Sequence, residues 1–403
     1  MTANAMNALA AALAPGTALP ADAPNAALVG RAWIDGDGAA LVRIAPEGVF
    51  DLSRLAPTMS DLLELDDPAS AVRAHRGRRL AATDAVLANS AWDARHPDLP
   101  WLLAPCDLQA IKAAGVTFVA SMLERVIEEQ ARGDASRADA IRKAVVAVIG
   151  ENLSAVRPGS PEAARLKQVL IDQGMWSQYL EVGIGPDAEV FTKSQPMSAV
   201  GTGAEVGLHP GSEWNNPEPE IVLAVDSRGQ VKGAALGNDV NLRDFEGRSA
   251  LLLGKAKDNN GSCAIGPWIR LFDAKFGMEQ VRRCDLAMRV QGPDGFVLEG
   301  ASSLARISRD PLELVKQTRG STHQYPDGFM LFLGTMFAPT QDRHGPGQGF
   351  THAVGDIVTV ATPALGTLAN RVNTSDRIPP WTYGARALMR DLARRGLLGP
   401  GAT

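Results

Sequence analysis

Cysteine is scarce in this chain, aromatic residues make up only 5% of it, and no apolar run reaches the length of a membrane span. Each shortage removes a class of protein. The three cysteines, Cys106, Cys263 and Cys284, are odd in number, far apart and without the paired spacing of a zinc site or a disulfide framework, which points to a reducing cytoplasm. Gly, Pro or charge interrupts every apolar run short of the roughly 20 residues a spanning helix needs, so no membrane partner is expected. Positive charge is neither in excess nor gathered. With a net charge of -5 and scattered basic residues, the chain lacks the stripe that nucleic acid requires. No Lys or Arg precedes Arg31, whereas a secretory leader starts basic, so the alanine-rich stretch Met1 to Pro24 is expected to form a weak leading helix or a loose arm of a soluble protein.

What remains is a chain of 403 residues, 45% hydrophobic, long enough to bury two cores, one small and one larger. From about 27 to 105, short apolar runs and turns such as Asp35-Gly36-Asp37-Gly38 predict a small β-containing unit with helices near 59–75 and 81–90. Apolar positions at helical spacing predict a helical region from Leu108 to Glu129, resuming from Ala135 to Val148, with Ser160 capping another helix through Ile171. Beyond Gly183 the texture becomes β-rich. Short β-prone segments at 189–192, 221–226, 286–290, 296–298, 330–333 and 357–361 alternate with turns, and Gly292-Pro293-Asp294-Gly295 supplies a hairpin turn directly.

The chemistry concentrates in Trp214-Asn-Asn-Pro-Glu-Pro-Glu, which sets Glu218 and Glu220 two apart at the mouth of a strand. Side chains two apart on a strand share a face, and two carboxylates on one face repel unless a cation or proton lies between them. That pair alone fits a metal site and a solvated strand end equally. Asp239, in Gly237-Asn238-Asp239 after the next β-prone segment, adds a third acid that can fold back beside the pair. Oxygen-only ligands select a hard cation such as Mg²⁺, with Mn²⁺ or Ca²⁺ in its place.

The ordered set PEPEIVLAV, GNDVNLRD, KDNNGSCAIGP, LFLGT, GDIV and LGTLANRV resembles the catalytic domain of the fumarylacetoacetate hydrolase family over roughly residues 109–375. The resemblance implies an α+β fold: a β-rich mixed-sheet catalytic domain at 108–403, a smaller N-terminal α/β domain at 1–107, and a helical insertion at about 125–172. It also implies Glu218, Glu220 and Asp239 as metal ligands, Lys257 as the catalytic lysine six residues before Cys263, and Gly334 and Thr335 as holders of the substrate carboxylate. The family's phenylalanine-lysine element matches Phe191-Thr192-Lys193, placing Lys193 among the substrate-binding groups.

One departure is informative. Family hydrolases carry a His and a Glu three apart that activate water, and the gapless match here, Gly115 to Glu124, puts Ser121 where the His stands and keeps Glu124. A serine without an adjacent base cannot take a proton at neutral pH, so hydrolysis through this dyad loses its engine. The segments AGVTF, NNPEPE and NNGSCAIGP resemble the 2-keto-3-deoxy-D-pentonate dehydratase branch. That resemblance implies a Mg²⁺-dependent, cytoplasmic hydro-lyase of pentose catabolism, working as a homodimer or dimer of dimers. It would convert a xylonate- or arabinonate-type 2-keto acid to 2,5-dioxopentanoate through a stabilised enolate, with Glu124 and Lys257 sharing proton transfers beside Ser121.

The alternative within the family is an acylpyruvate or β-diketone hydrolase or an oxaloacetate decarboxylase. A non-catalytic binding protein that kept the fold is the alternative outside it. Of the other candidates, His209 and His352 read as structural, and Tyr179 and Gln178 could reach the pocket but suit packing better. Cys263 suits a tight turn, and Gly201 to Glu205 suits a turn rather than a phosphate loop.

Overall fold

The computed structural model describes residues 3–149, 156–172, 174 and 176–399. Residues 150–155, inside the stretch expected as an insertion, and Met1 and Thr2 of the expected leading arm lie outside the described residues.

Three neighbouring or near-neighbouring strands of the largest sheet are buried along their whole length: Pro219–Val225, Cys263–Leu271 and Phe329–Phe332. A strand covered on both faces needs continuous apolar sequence rather than alternation, which is what Ile221-Val-Leu-Ala-Val and Phe329-Met-Leu-Phe supply. They lie in a mixed sheet of 11 strands in which Cys263–Leu271, Val231–Asp239, Pro219–Val225, Phe329–Phe332, Ala110–Ala114 and Val190–Ser194 follow one another across the sheet. The N-terminal strand Leu28–Ile34 joins the same sheet by antiparallel pairing of Leu28 with Arg270 and Val29 with Ile269.

A second sheet of five strands packs on one face of the first. Its strand Asp285–Gln291 alternates exposed and buried residues, and the buried set, Leu286, Met288 and Val290, meets Ile221, Leu223 and Leu236 of the large sheet. Burying each such side chain is worth about 2 kcal/mol. The Gly292–Gly295 turn joins this strand to Val297–Ser303 in the expected hairpin. On the opposite face of the large sheet, Met59, Leu62, Leu63 and Val72, from two short helices, cover Val222, Ala224 and Ile265. The leading segment forms the helix Ala3–Leu13, and its Leu9 and Leu13 pack on Ile357 and Ala369. Among the described residues no helix is long and apolar enough to cross a membrane.

One reading needs correction. Periodicity predicts a helix from Leu108, but Ala110–Ala114 is a strand, parallel to Phe329–Phe332, and the helix begins only at Val119 and runs to Ala131. Ala and Lys favour helix by only tenths of a kcal/mol, less than a strand gains from pairing in the middle of a buried sheet. Gly115 is where the strand stops. The helices Ala135–Ile149, Pro161–Asp172 and Gln178–Ile184 follow, with the Ser160 hydroxyl accepting from the Ala163 amide.

Candidate active site

Glu218 and Asp239 face each other across neighbouring antiparallel strands. The Asp239 amide donates to the Glu218 carbonyl at 3.0 Å, and the Glu218 amide donates to Asn238 Oδ1 at 3.1 Å. Glu220, two residues on, shares the Glu218 face. Carboxylate oxygens of Glu218, Glu220 and Asp239 all lie within 4.8 Å of one another, and all three residues are buried. The sequence pattern is therefore realised as a cluster.

Like charges this close cannot all stay ionised unaided. Burial, then the neighbouring Asp239 and Glu218, hold the Glu220 carboxyl well above the usual range. Burial acts on Glu218 too, but Lys257 and Arg125 outweigh it and bring its carboxyl down to about 2. The Lys257 ammonium sits 2.6 Å from Glu218 Oε2 and 3.1 Å from Asp239 Oδ2. Burial works against its charge, yet Asp239, Glu218 and Glu246 raise its pKa.

Lys193 is fully buried, with Nζ 2.9 Å from Asp239 Oδ1 and bonded to the Lys257 carbonyl. Its approach to Asp239 lacks hydrogen-bond alignment, so Oδ1 is left buried without a donor. The Gly334 amide donates to Glu220 Oε2 at 2.7 Å. Gly334 has φ +98°, and a Cβ there would lie 2.0 Å from Thr117 Oγ1, so the loop needs glycine to bring that amide to the carboxylate. The next residue, Thr335, turns its hydroxyl to the Phe337 carbonyl at 2.9 Å.

Glu124 and Ser121 stand apart from this cluster. Both Glu124 oxygens accept from Arg142 of the following helix, each at 2.9 Å, and Arg243 lies 3.9 Å away. Burial would raise the Glu124 carboxyl, but Arg142 and Arg243 hold it below its ordinary value. The Ser121 hydroxyl donates to the Phe118 carbonyl at 2.9 Å, a bond within its own helix. Arg125, Glu128, Arg243 and Glu246 complete a buried ionic wall beside Glu218, with Arg243 Nε 3.3 Å from Glu128 Oε1.

Glu189 is a site residue that sequence reasoning passed over. Glu189 directly precedes the strand Val190–Ser194, whose Lys193 touches Asp239 and whose Phe191 ring lies 5.8 Å from Lys257 Nζ. A Cβ on Gly115 would meet Glu189 Oε2 at 1.9 Å, so that glycine opens the space the carboxyl fills. Burial first, then the charge of Glu246, pushes it up to about 7. No local pattern marks it, since the strand is irregular at Lys193 and the charges that act on Glu189 come from other segments. Tyr179 is buried, and burial and the nearby Glu246 raise its phenol, whereas Gln178 bonds to Glu129 instead.

His352 is buried against Asp356, and Asp244 accepts from Ser212. Cys263, expected in a tight turn, instead opens a strand just after one, and burial raises its thiol.

The donor set fits a hard divalent ion. The ligand atoms are carboxylate oxygens, one of them unpaired, and the carboxyls of Glu128, Glu189, Glu218, Glu220, Asp239 and Glu246 outnumber by two the cations of Arg125, Lys193, Arg243 and Lys257.

Residues 176–373 match the family model described as fumarylacetoacetate (FAA) hydrolase C-terminal. Over 204 residues, half of this chain, the sequence is 30% identical to a Haloferax volcanii protein named "Probable 2-keto-3-deoxyxylonate dehydratase", covering 66% of it. It is 29% identical over 190 residues to the Saccharolobus solfataricus 2-dehydro-3-deoxy-D-arabinonate dehydratase, covering 60% of that protein and 47% of this one. The chain thus spans less than two thirds of either relative. The fold matches an apo 2-keto-3-deoxy-D-arabinonate dehydratase at TM-score 0.59 and 21% identity, covering 86% of this chain and 99% of that one. It matches equally, at 20% identity and with the same coverage, such an enzyme complexed with magnesium and 2,5-dioxopentanoate.

Proposed function

Since residues 176–373 of this chain belong to the fumarylacetoacetate hydrolase family, we propose that it is a magnesium-dependent hydro-lyase converting a 2-keto-3-deoxy-D-pentonate, of the xylonate or arabinonate type, to 2,5-dioxopentanoate. The observation that carries this reading is the buried, cation-poor cluster of Glu218, Glu220 and Asp239 bridged by Lys257. Those three carboxylates would hold Mg²⁺, or Mn²⁺ or Ca²⁺ in its place. Such an ion, when bound, makes the C3 protons of a 2-keto acid more acidic by polarising its carboxylate and C2 carbonyl oxygens.

The chain's own groups then move protons. Loss of water takes one proton from C3, whose C–H pair becomes the C3=C4 bond, and delivers one to the C4 hydroxyl as the C4–O bond breaks. A proton shift from C5 to C3 and return of the enol as the C5 aldehyde complete the conversion, with one water as the net loss. A carboxyl near pH 7 suits both giving and taking, which assigns the exchange to Glu189. Lys257 stays an ammonium and offsets the negative charge that gathers on the substrate oxygens. With both oxygens on Arg142, Glu124 braces the wall, and Ser121 closes that side without a base. Thr335 meets the substrate carboxylate while the Gly334 amide steadies Glu220, and Lys193 holds Asp239 from behind.

The same reading includes a cytoplasmic homodimer, or dimer of dimers, formed through the outer face of the five-stranded sheet, where Ala287, Ala301, Thr359 and Ala361 form a shallow strip. The deciding assay supplies 2-keto-3-deoxy-D-xylonate and its arabinonate form with Mg²⁺ and follows the product aldehyde by coupled oxidation. Metal-dependent turnover of either is expected. Turnover of oxaloacetate or an acylpyruvate with neither sugar acid consumed would move the assignment to decarboxylase or hydrolase.

A further inference from the structure

Beyond the ligands and the proton-moving groups, Glu218 has a second cationic partner. Oε2 faces Lys257, but Oε1 accepts from Arg125 Nη2, on the helix Val119–Ala131 one turn beyond Ser121. The other terminal nitrogen of Arg125 is 2.5 Å from Glu128 Oε2 and 3.4 Å from Glu246 Oε2. Glu128 is held in turn by Arg243, which donates to Asn216 Oδ1 at 2.8 Å and to the Pro339 carbonyl at 3.2 Å. The guanidinium is a rigid plane with fixed donor directions, so one anchored by two acids on its far side cannot swing inward with Glu218.

We propose that Arg125 is a positioning residue that withholds Oε1 of Glu218 from the metal, keeping Glu218 a one-oxygen ligand. The proposal rests on the reading of Glu218, Glu220 and Asp239 as a metal site. Each carboxylate oxygen withheld is a position left on the ion for a substrate oxygen. The guanidinium charge also weakens the hold of the empty site on the ion, trading affinity for the metal alone against affinity for the metal with its keto acid. Sequence offers no sign of this, because Arg125 and Glu218 are 93 positions apart.

The test titrates Mg²⁺ into metal-free wild type, Arg125→Lys and Arg125→Met, calorimetrically, with and without the non-reacting 2-keto acid pyruvate. With Arg125→Met, Mg²⁺ alone binds about tenfold tighter, the scale of groups that orient metal ligands, while pyruvate no longer strengthens that binding. Arg125→Lys keeps the charge but not the fork and lies between. Damage to folding only lowers metal affinity, and loss of charge alone would tighten Mg²⁺ while leaving the pyruvate effect in place, so a gain together with loss of that effect marks positioning. Removing Arg125 leaves Glu128 and Glu246 buried with one cation fewer, so the paired variant Arg125→Met with Glu128→Gln, which loses one charge of each sign, gives the same readout if the single variant does not fold. Wild type that binds Mg²⁺ together with an Arg125→Met or paired variant that binds it no more tightly overturns the positioning role alone. Wild type that takes up no Mg²⁺ overturns the metal reading with it.

Discussion

Two buried ionic groups meet at Glu218, and they differ in arithmetic. On the strand side, Glu218, Glu220 and Asp239 face Lys257 and Lys193, so acids exceed bases and the Glu220 carboxyl is pushed up. On the helix side, Glu128 and Glu246 are matched by Arg125 and Arg243, and Glu124 by Arg142. A charge deficit in a buried group is a request for a cation, whereas the helix-side group is balanced in charge even though Glu128 Oε1 and Glu246 Oε2 accept no aligned hydrogen bond. In the proposed function the chemistry falls on the strand side and support on the helix side, with Glu189 in the field of charges from both.

Breaking the deficient side should cost most. Asp239→Asn removes one ligand charge, and turnover is expected to fall by about 10³-fold or more while calorimetric Mg²⁺ uptake disappears. Activity within about tenfold of wild type would erase the distinction between the two groups.

Glu189→Gln tests the group between them. Turnover at pH 7 is expected to fall by about 10²-fold, and the rise of kcat/KM with pH through about 7, where the base form of Glu189 accumulates, should vanish. Stability should move the opposite way. The folded value of about 7 lies above the ordinary 4.5, so wild type loses stability as pH climbs from near 4.5 through about 7, and an uncharged Gln does not. In denaturant melts the variant should match wild type in unfolding free energy at pH 4 and exceed it at pH 8 by on the order of 3 kcal/mol. An unchanged pH profile would return the proton transfers to other groups.

Arg142→Met, in the balanced wall, should give the smallest effect. The Arg142 side chain is 27% exposed, so releasing Glu124 should cost about 1 kcal/mol in denaturant melts and change turnover by less than about threefold. A collapse in turnover comparable to that of Asp239→Asn would put Glu124 in the chemistry after all.

The two sides also differ in how far they can be read from sequence. Glu218 and Glu220 are legible because the period-two rule is local, and Asp239 because it ends the very next strand, which pairs with theirs. The hairpin at Gly292–Gly295 and six strands beyond Gly183 are legible from local signals too, whereas Glu205–Leu208, Cys263–Leu271 and Gly366–Thr374 emerge only in the fold. The strand Ala110–Ala114 is misread as helix because its state is set by Phe329–Phe332, more than 200 residues away in sequence. Arg142, Arg243 and Arg125 are plain charged residues in sequence, and only the packing of three separate segments turns them into a wall.

The sequence by itself determined the spacing of the carboxylate triad and the β-rich texture around it, because each is local, while the resemblance to the family singled out Lys257 and Ser121. The tertiary structure alone decided which carboxyls are paired and which are left wanting a charge, and so raised the Glu189 carboxyl and tied Glu124 to Arg142. The reason is physical: a side chain's ionisation depends on burial and on every charge within a few ångströms, and those neighbours come from anywhere in the chain.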